Sequence, residues 1–215
     1  MNSLQLTPAS YISFLVLYRY YDRRYQALFG NAFSQGSTVQ NEQGVYMGFQ
    51  LTPIARWKLS VYADLFRFPW LKYGIDAPSG GQEYMAQIDY TPSRNYSAYL
   101  RYKYRQKEKN RTFENDNLLR INSYKQHRIR FQQVYNFSSP FIFKTSLDGI
   151  LFDDPIKKLN KGIMISQSIG WKPTTLPLQI DGYLAWFYTD DYNSRVSSCL
   201  LYTSPSPRDR TRYRM

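Results

Sequence analysis

Trp57-Lys58-Leu59-Ser60-Val61-Tyr62-Ala63-Asp64-Leu65 alternates without a break. Trp57, Leu59, Val61, Ala63 and Leu65 fall on one side of an extended chain. Lys58, Ser60, Tyr62 and Asp64 fall on the other. Successive side chains of a strand point to opposite faces, so the stretch reads as a strand with one apolar and one polar face. Residues 96–105 repeat the pattern, with Tyr96, Ala98, Leu100, Tyr102 and Tyr104 set against Ser97, Tyr99, Arg101, Lys103 and Arg105. In 178–188, Leu178, Ile180, Gly182, Leu184, Trp186 and Tyr188 oppose Gln179, Asp181, Tyr183, Ala185 and Phe187.

Weaker alternation at 11–20, 44–51, 83–90, 124–137, 141–152 and 162–172 brings the total to about nine strands of roughly ten residues, a length that crosses a bilayer at a tilt. Connections alternate between short and long. The short ones are 52–55, 91–95, 138–140 and 173–177; the long ones are 21–43, 69–82, 106–123 and 153–161. A Thr-Pro pair at Thr7-Pro8, Thr52-Pro53 and Thr91-Pro92 marks turns, because proline fixes φ and ends a ladder. Short turns on one side and long loops on the other are the habit of outer-membrane barrels. The predicted fold class is therefore all-β: an antiparallel up-and-down transmembrane β-barrel. A soluble sandwich or lipocalin-like barrel would need a dry apolar interior, whereas the second face of most strands is charged.

Composition agrees. The 215 residues carry a net charge of +12, with 21 Tyr and 13 Phe. No run of about 18 apolar residues exists to form a membrane helix, and a barrel needs none. Trp57, Tyr90, Tyr96, Tyr135, Phe141 and Trp171 lie beside short turns; Phe68, Trp70, Tyr104, Trp186 and Tyr188 lie toward long loops. Two aromatic girdles of this kind suit the two headgroup layers of a bilayer.

Lys58, Asp64, Arg101, Lys103, Arg105, Arg128, Arg130, Lys144, Asp148 and Asp181 fall on the polar side of the strands and are the candidate lumen charges. In a lumen such groups either pair across it or line a water-filled path. The basic stretch 105–111, with Lys125, Arg128 and Arg130, is a candidate surface for the phosphates of nucleic acid or lipopolysaccharide. The apolar segment Pro69-Trp70-Leu71-Lys72-Tyr73-Gly74 is expected to fold into a barrel mouth or touch a partner. Catalysis is not expected: His127, the only histidine, lies mid-strand with Ile129 and Phe131 and has no local acid or serine partner. Asp153-Asp154 and Asp190-Asp191 read as solvated loop starts rather than Ca²⁺ ligands. No cofactor motif is present.

Three stretches carry a resemblance: Tyr20–Phe33, Asn41–Gly48 and Tyr62–Gly74. They are similar to the C-terminal barrel of outer-membrane proteins of Bacteroidales that contain a helix-hairpin-helix domain, and the likeness extends over most of 10–198. It implies a barrel in the bacterial outer membrane that contacts lipid and lipopolysaccharide and acts as a pore, conduit or anchor. Because a helix-hairpin-helix module binds DNA backbone elsewhere, it also implies, as the alternative, a surface module for DNA or another anionic polymer.

Residues 199–209, Cys-Leu-Leu-Tyr-Thr-Ser-Pro-Ser-Pro-Arg-Asp, resemble the in-frame translation of a transposase adapter used in sequencing libraries. The expected division is a partial barrel over 1–198 and a foreign, disordered tail over 199–215, which holds the only cysteine, Cys199. No secretory leader follows Met1. The sequence is thus expected to be a fragment, with open edges at 11–20 and 178–190.

Overall fold

The computed structural model describes residues 1–25, 33–36, 39–113, 116–137, 140–154, 159–173, 178–191 and 194, with the side chains of 111–120 excepted. Residues 199–215 lie outside it.

Ten strands follow one another: β1 (Asn2–Ala9), β2 (Ile12–Tyr21), β3 (Glu42–Leu51), β4 (Trp57–Phe68), β5 (Ser79–Ser93), β6 (Tyr96–Phe113), β7 (Asp116–Phe137), β8 (Phe141–Asp153), β9 (Asn160–Trp171) and β10 (Ile180–Thr189). They form one antiparallel sheet in sequence order, an up-and-down meander. Among the described residues β1 and β10 each pair with a single neighbour, so the sheet is not closed.

The short connections lie along one edge and are stitched to each other. Thr52 N donates to Tyr11 O at 2.8 Å, Thr91 N to Arg56 O at 2.9 Å, Asn136 N to Asn95 O at 2.7 Å and Lys172 N to Pro140 O at 2.8 Å. Each bond satisfies a turn amide that the ladder leaves free.

Register divides the side chains into two faces. Directly opposite residues share a face, so the chain of partners Arg19, Gly44, Phe66, Gly81, Lys107 and Tyr124 defines one of them. This is the charged face. Phe14, Phe49, Val61, Ala86, Tyr102, Ile129 and Gly149 trace the other, apolar one. Burial runs opposite to that of a soluble domain. Arg19, Glu42, Asp64, Glu83 and Asp148 are buried, while Leu4, Val16, Met47, Leu100, Ile129, Leu147, Ile165 and Leu184 are exposed.

Five expectations need correction. There are ten strands, not nine, because Thr7-Pro8 lies inside β1, an edge strand where proline's missing donor is tolerated. One open edge is consequently β1 rather than 11–20; the other is β10. Thr91-Pro92 is likewise within β5, where the register shifts between Tyr90 and Ser93, and the turn itself is Arg94-Asn95. Residues 106–123 are not a long loop. β6 and β7 continue pairing to Thr112↔Leu119, beyond the last rungs with their outer neighbours at Gly81↔Lys107 and Lys125↔Asp153. Phe68 belongs to no girdle: it sits on the charged face and is buried.

Candidate functional site

The charged face carries two differently balanced regions. The first lies on β2–β4 near the long connections. Arg19 donates from Nε to Glu42 Oε1 at 2.6 Å, and from both terminal nitrogens to Asp64, at 2.7 and 3.1 Å. The guanidinium fork grips one carboxylate bidentately and a second through its remaining edge. Arg19 is 0 % exposed and Asp64 1 %. One cation cannot neutralise two carboxylates, and amide donors of Gln35 and Gly36 supply the remaining bonds. The amides of Gln35 and Gly36 donate to Glu42 at 2.8 and 3.1 Å, and Gln35 Nε2 donates to Asp64 at 2.8 Å. Segment 33–36 is thereby held over the charged face. Phe33 packs edge-on against Tyr46 at 5.2 Å and lies under the Arg19 guanidinium at 5.0 Å. Lys107 Nζ, from β6, caps Gln35 O at 3.0 Å.

Segment 69–78 is anchored beside this cluster. Buried Asn41 accepts from Trp70 N at 2.9 Å and donates to Trp70 O and Leu71 O at 2.7 and 3.3 Å. Lys72 lies 3.3 Å over the Phe68 ring, and desolvation there lowers its pKa. Trp70 itself stays exposed, stacked under Arg23 at 4.9 Å.

The second region covers β5–β8 and is cationic. Glu83, buried, receives Tyr62 Oη at 2.6 Å, Lys103 Nζ at 2.7 Å and Arg105 Nε at 2.5 Å. Asp148 pairs with Arg130. Arg101 Nε donates to the neutral Gln87 at 2.6 Å. Register sets Arg101 directly across from Arg130, and Lys103 directly across from Arg128.

All ten charges expected on the polar side share this one face. Six of them, Asp64, Arg101, Lys103, Arg105, Arg130 and Asp148, are joined to another side chain by the bonds above. Among the described residues, Asp181 accepts from nearby Gln179, at 2.8 Å. Lys58, across from Asp89, makes no ion pair or hydrogen bond among the described residues, and neither do Arg128 and Lys144. Sequence reasoning missed Arg19, Glu42, Glu83 and Gln35, and placed Lys107 in a basic surface stretch rather than over the buried cluster. Arg19 carried a signal, since it is in step with Leu17 and Tyr21. Glu42 and Gln35 fell in what read as a loop.

On the apolar face, the aromatics beside the short turns form a row. Trp57–Tyr90 centroids are 4.4 Å apart, Tyr90–Tyr96 6.5 Å and Tyr96–Tyr135 6.3 Å, and Trp171 continues the row opposite Phe141. Trp186 and Tyr188 are exposed on the same face toward the other edge. His127 also faces this side and pairs with Tyr102 Oη through Nδ1 at 2.8 Å. Among the described residues no group of three or more His, Cys, Asp or Glu is placed to hold a metal ion. Asp190 instead accepts from Lys161 N at 2.9 Å, and Asp153 faces Lys125.

Comparison with known proteins gives no match: no family model, no curated protein and no solved structure matches this chain.

Proposed function

We propose that this sheet is wall material of a bacterial outer-membrane β-barrel that serves as a pore, conduit or membrane anchor, akin to the Bacteroidales barrels whose sequences it resembles. The observation that carries the reading is the inverted burial. An apolar face exposed across ten strands is backed by a face of buried charge. Soluble monomers rarely expose apolar patches beyond a few hundred Å². In lipid the same face is the solvated one, and charges facing away from it suit an aqueous lumen. The row from Trp57 to Trp171 fits one headgroup layer, where amphipathic rings settle. From Trp171 to Lys161 the strand spans ten steps, about 33 Å along its axis, or about 25 Å of membrane at a typical tilt.

The test is fractionation of the complete protein together with its mobility on gels before and after heating. Recovery in the outer-membrane fraction with heat-modifiable migration is expected; recovery in the soluble fraction would sink the reading.

A second reading, display of a surface for DNA or another anionic polymer, draws on the ribbon of β6 and β7 that outruns its neighbours and carries Lys109 and Arg111. It requires binding that weakens steeply with salt and vanishes when the Lys and Arg of 101–111 are neutralised.

A further inference from the structure

The cationic half of the charged face is built against its own electrostatics. Like charges directly opposite each other destabilise a strand pair, yet β6 and β7 place two such pairs on successive same-face rungs: Arg101 across from Arg130 and Lys103 across from Arg128. Among the described residues, two carboxylates form ion pairs in this region. Glu83 is taken by Lys103 and Arg105, and Asp148 by Arg130. Arg128, half-buried, makes no ion pair or hydrogen bond among the described residues; Asp148, already bonded to Arg130, is the carboxylate whose charge reaches it, against the like charges of Arg130 and Arg105. The arrangement is not a general excess of base. On β2–β4 the same face gives one arginine two carboxylates and three amide donors.

We propose that Arg101, Lys103, Arg128 and Arg130 form a binding site for dissolved oxyanions, phosphate or carboxylate in chemistry, on the charged face. This rests on the reading of that face as a solute path and names the solute class. Guanidinium groups present paired N–H donors matched to two oxygens of such an anion. A bound anion removes the repulsion across both rungs, and arginine and lysine rings are how pores select anions. The site faces away from the apolar side, so the ligand is a solute rather than a lipid headgroup.

The test uses the full chain folded in a maltoside detergent, which carries no phosphate, with inorganic phosphate as probe. Equilibrium dialysis should give saturable binding that weakens at least tenfold in Arg128→Gln and in Arg101→Gln. Arg128→Lys should keep most of the affinity, and Lys172→Gln, exposed just beyond β9 and outside the cluster, should be unchanged. No saturable binding by the unaltered chain overturns the site, as does equal binding by Arg128→Gln. Displacement of phosphate by lipopolysaccharide would reassign the cluster to a headgroup and overturn the solute assignment. Planar-bilayer recording of the same protein separates this from the conduit reading. Phosphate binding without conductance keeps the site and removes the conduit. Conductance without anion preference or phosphate binding keeps the conduit and overturns the site.

Discussion

Arg19 joins three strands through its two carboxylate partners, Glu42 on β3 and Asp64 on β4. Removing one member of a buried ion cluster strands the others in a low-dielectric site. Arg19→Met is expected to cost about 3–5 kcal/mol, read as a lowered urea midpoint of the protein refolded in micelles. The triple change Arg19→Met, Glu42→Gln, Asp64→Asn removes the charges together and should recover most of that loss, because the destabilising element is the uncompensated carboxylate rather than a missing attraction. If the triple variant were as unstable as the single one, packing and not charge would be the cause. Gly44 serves the same cluster by its lack of a side chain. A Cβ there would come within 2.8 Å of the Arg19 guanidinium carbon and 2.9 Å of Leu65 O. The backbone oxygen cannot swing aside, so Gly44→Ala should cost about 1–3 kcal/mol in the same measurement.

At the scale of the strand, the environment of the apolar face decides what a charge costs. Ile165 on β9 lies across from Leu147 on β8 and Trp186 on β10, and all three are exposed. On a wet surface Ile165→Arg would be close to neutral. Facing lipid at mid-depth it should cost about 2–4 kcal/mol in liposome unfolding, while Phe137→Arg, beside the short turns, should cost about 0–1 kcal/mol. Equal, small effects at both positions would place the face in water. Alternation made this face legible from sequence, since period two survives wherever one side is apolar, as in 57–65. It failed where both sides turn polar. Beyond Lys107 the ladder of β6 and β7 continues through Glu108, Lys109 and Asn110 without an apolar stripe, so the stretch read as a loop. β1 failed for a different reason: Pro8 signals a turn, yet an edge strand has one unpaired side on which a missing donor costs nothing. Which charges share a face was legible, but not which ones touch, because cross-strand partners depend on register. Glu83 gathers Tyr62, Lys103 and Arg105 from two neighbouring strands, and nothing in 83–90 alone announces that.

At the scale of the whole sheet, β1 and β10 are exposed on both faces and each leaves one ladder edge unpaired. An unpaired edge beside an apolar face is a template for strand addition by another chain. The central strands are free of this problem, because each has two neighbours. Association should therefore begin at the outer strands. Diluted from detergent into buffer, the chain is expected to sediment as large, polydisperse species. Pro substitutions at Leu4 and Leu184, which remove donors from the two edge strands, should slow that association more than Pro-free polar substitutions at Leu100 on the apolar face of β6. Faster or equal association in the edge variants would locate the sticky surface on the apolar face alone. A monodisperse soluble monomer with a cooperative thermal transition would contradict both the open edge and the proposal that the apolar face meets lipid.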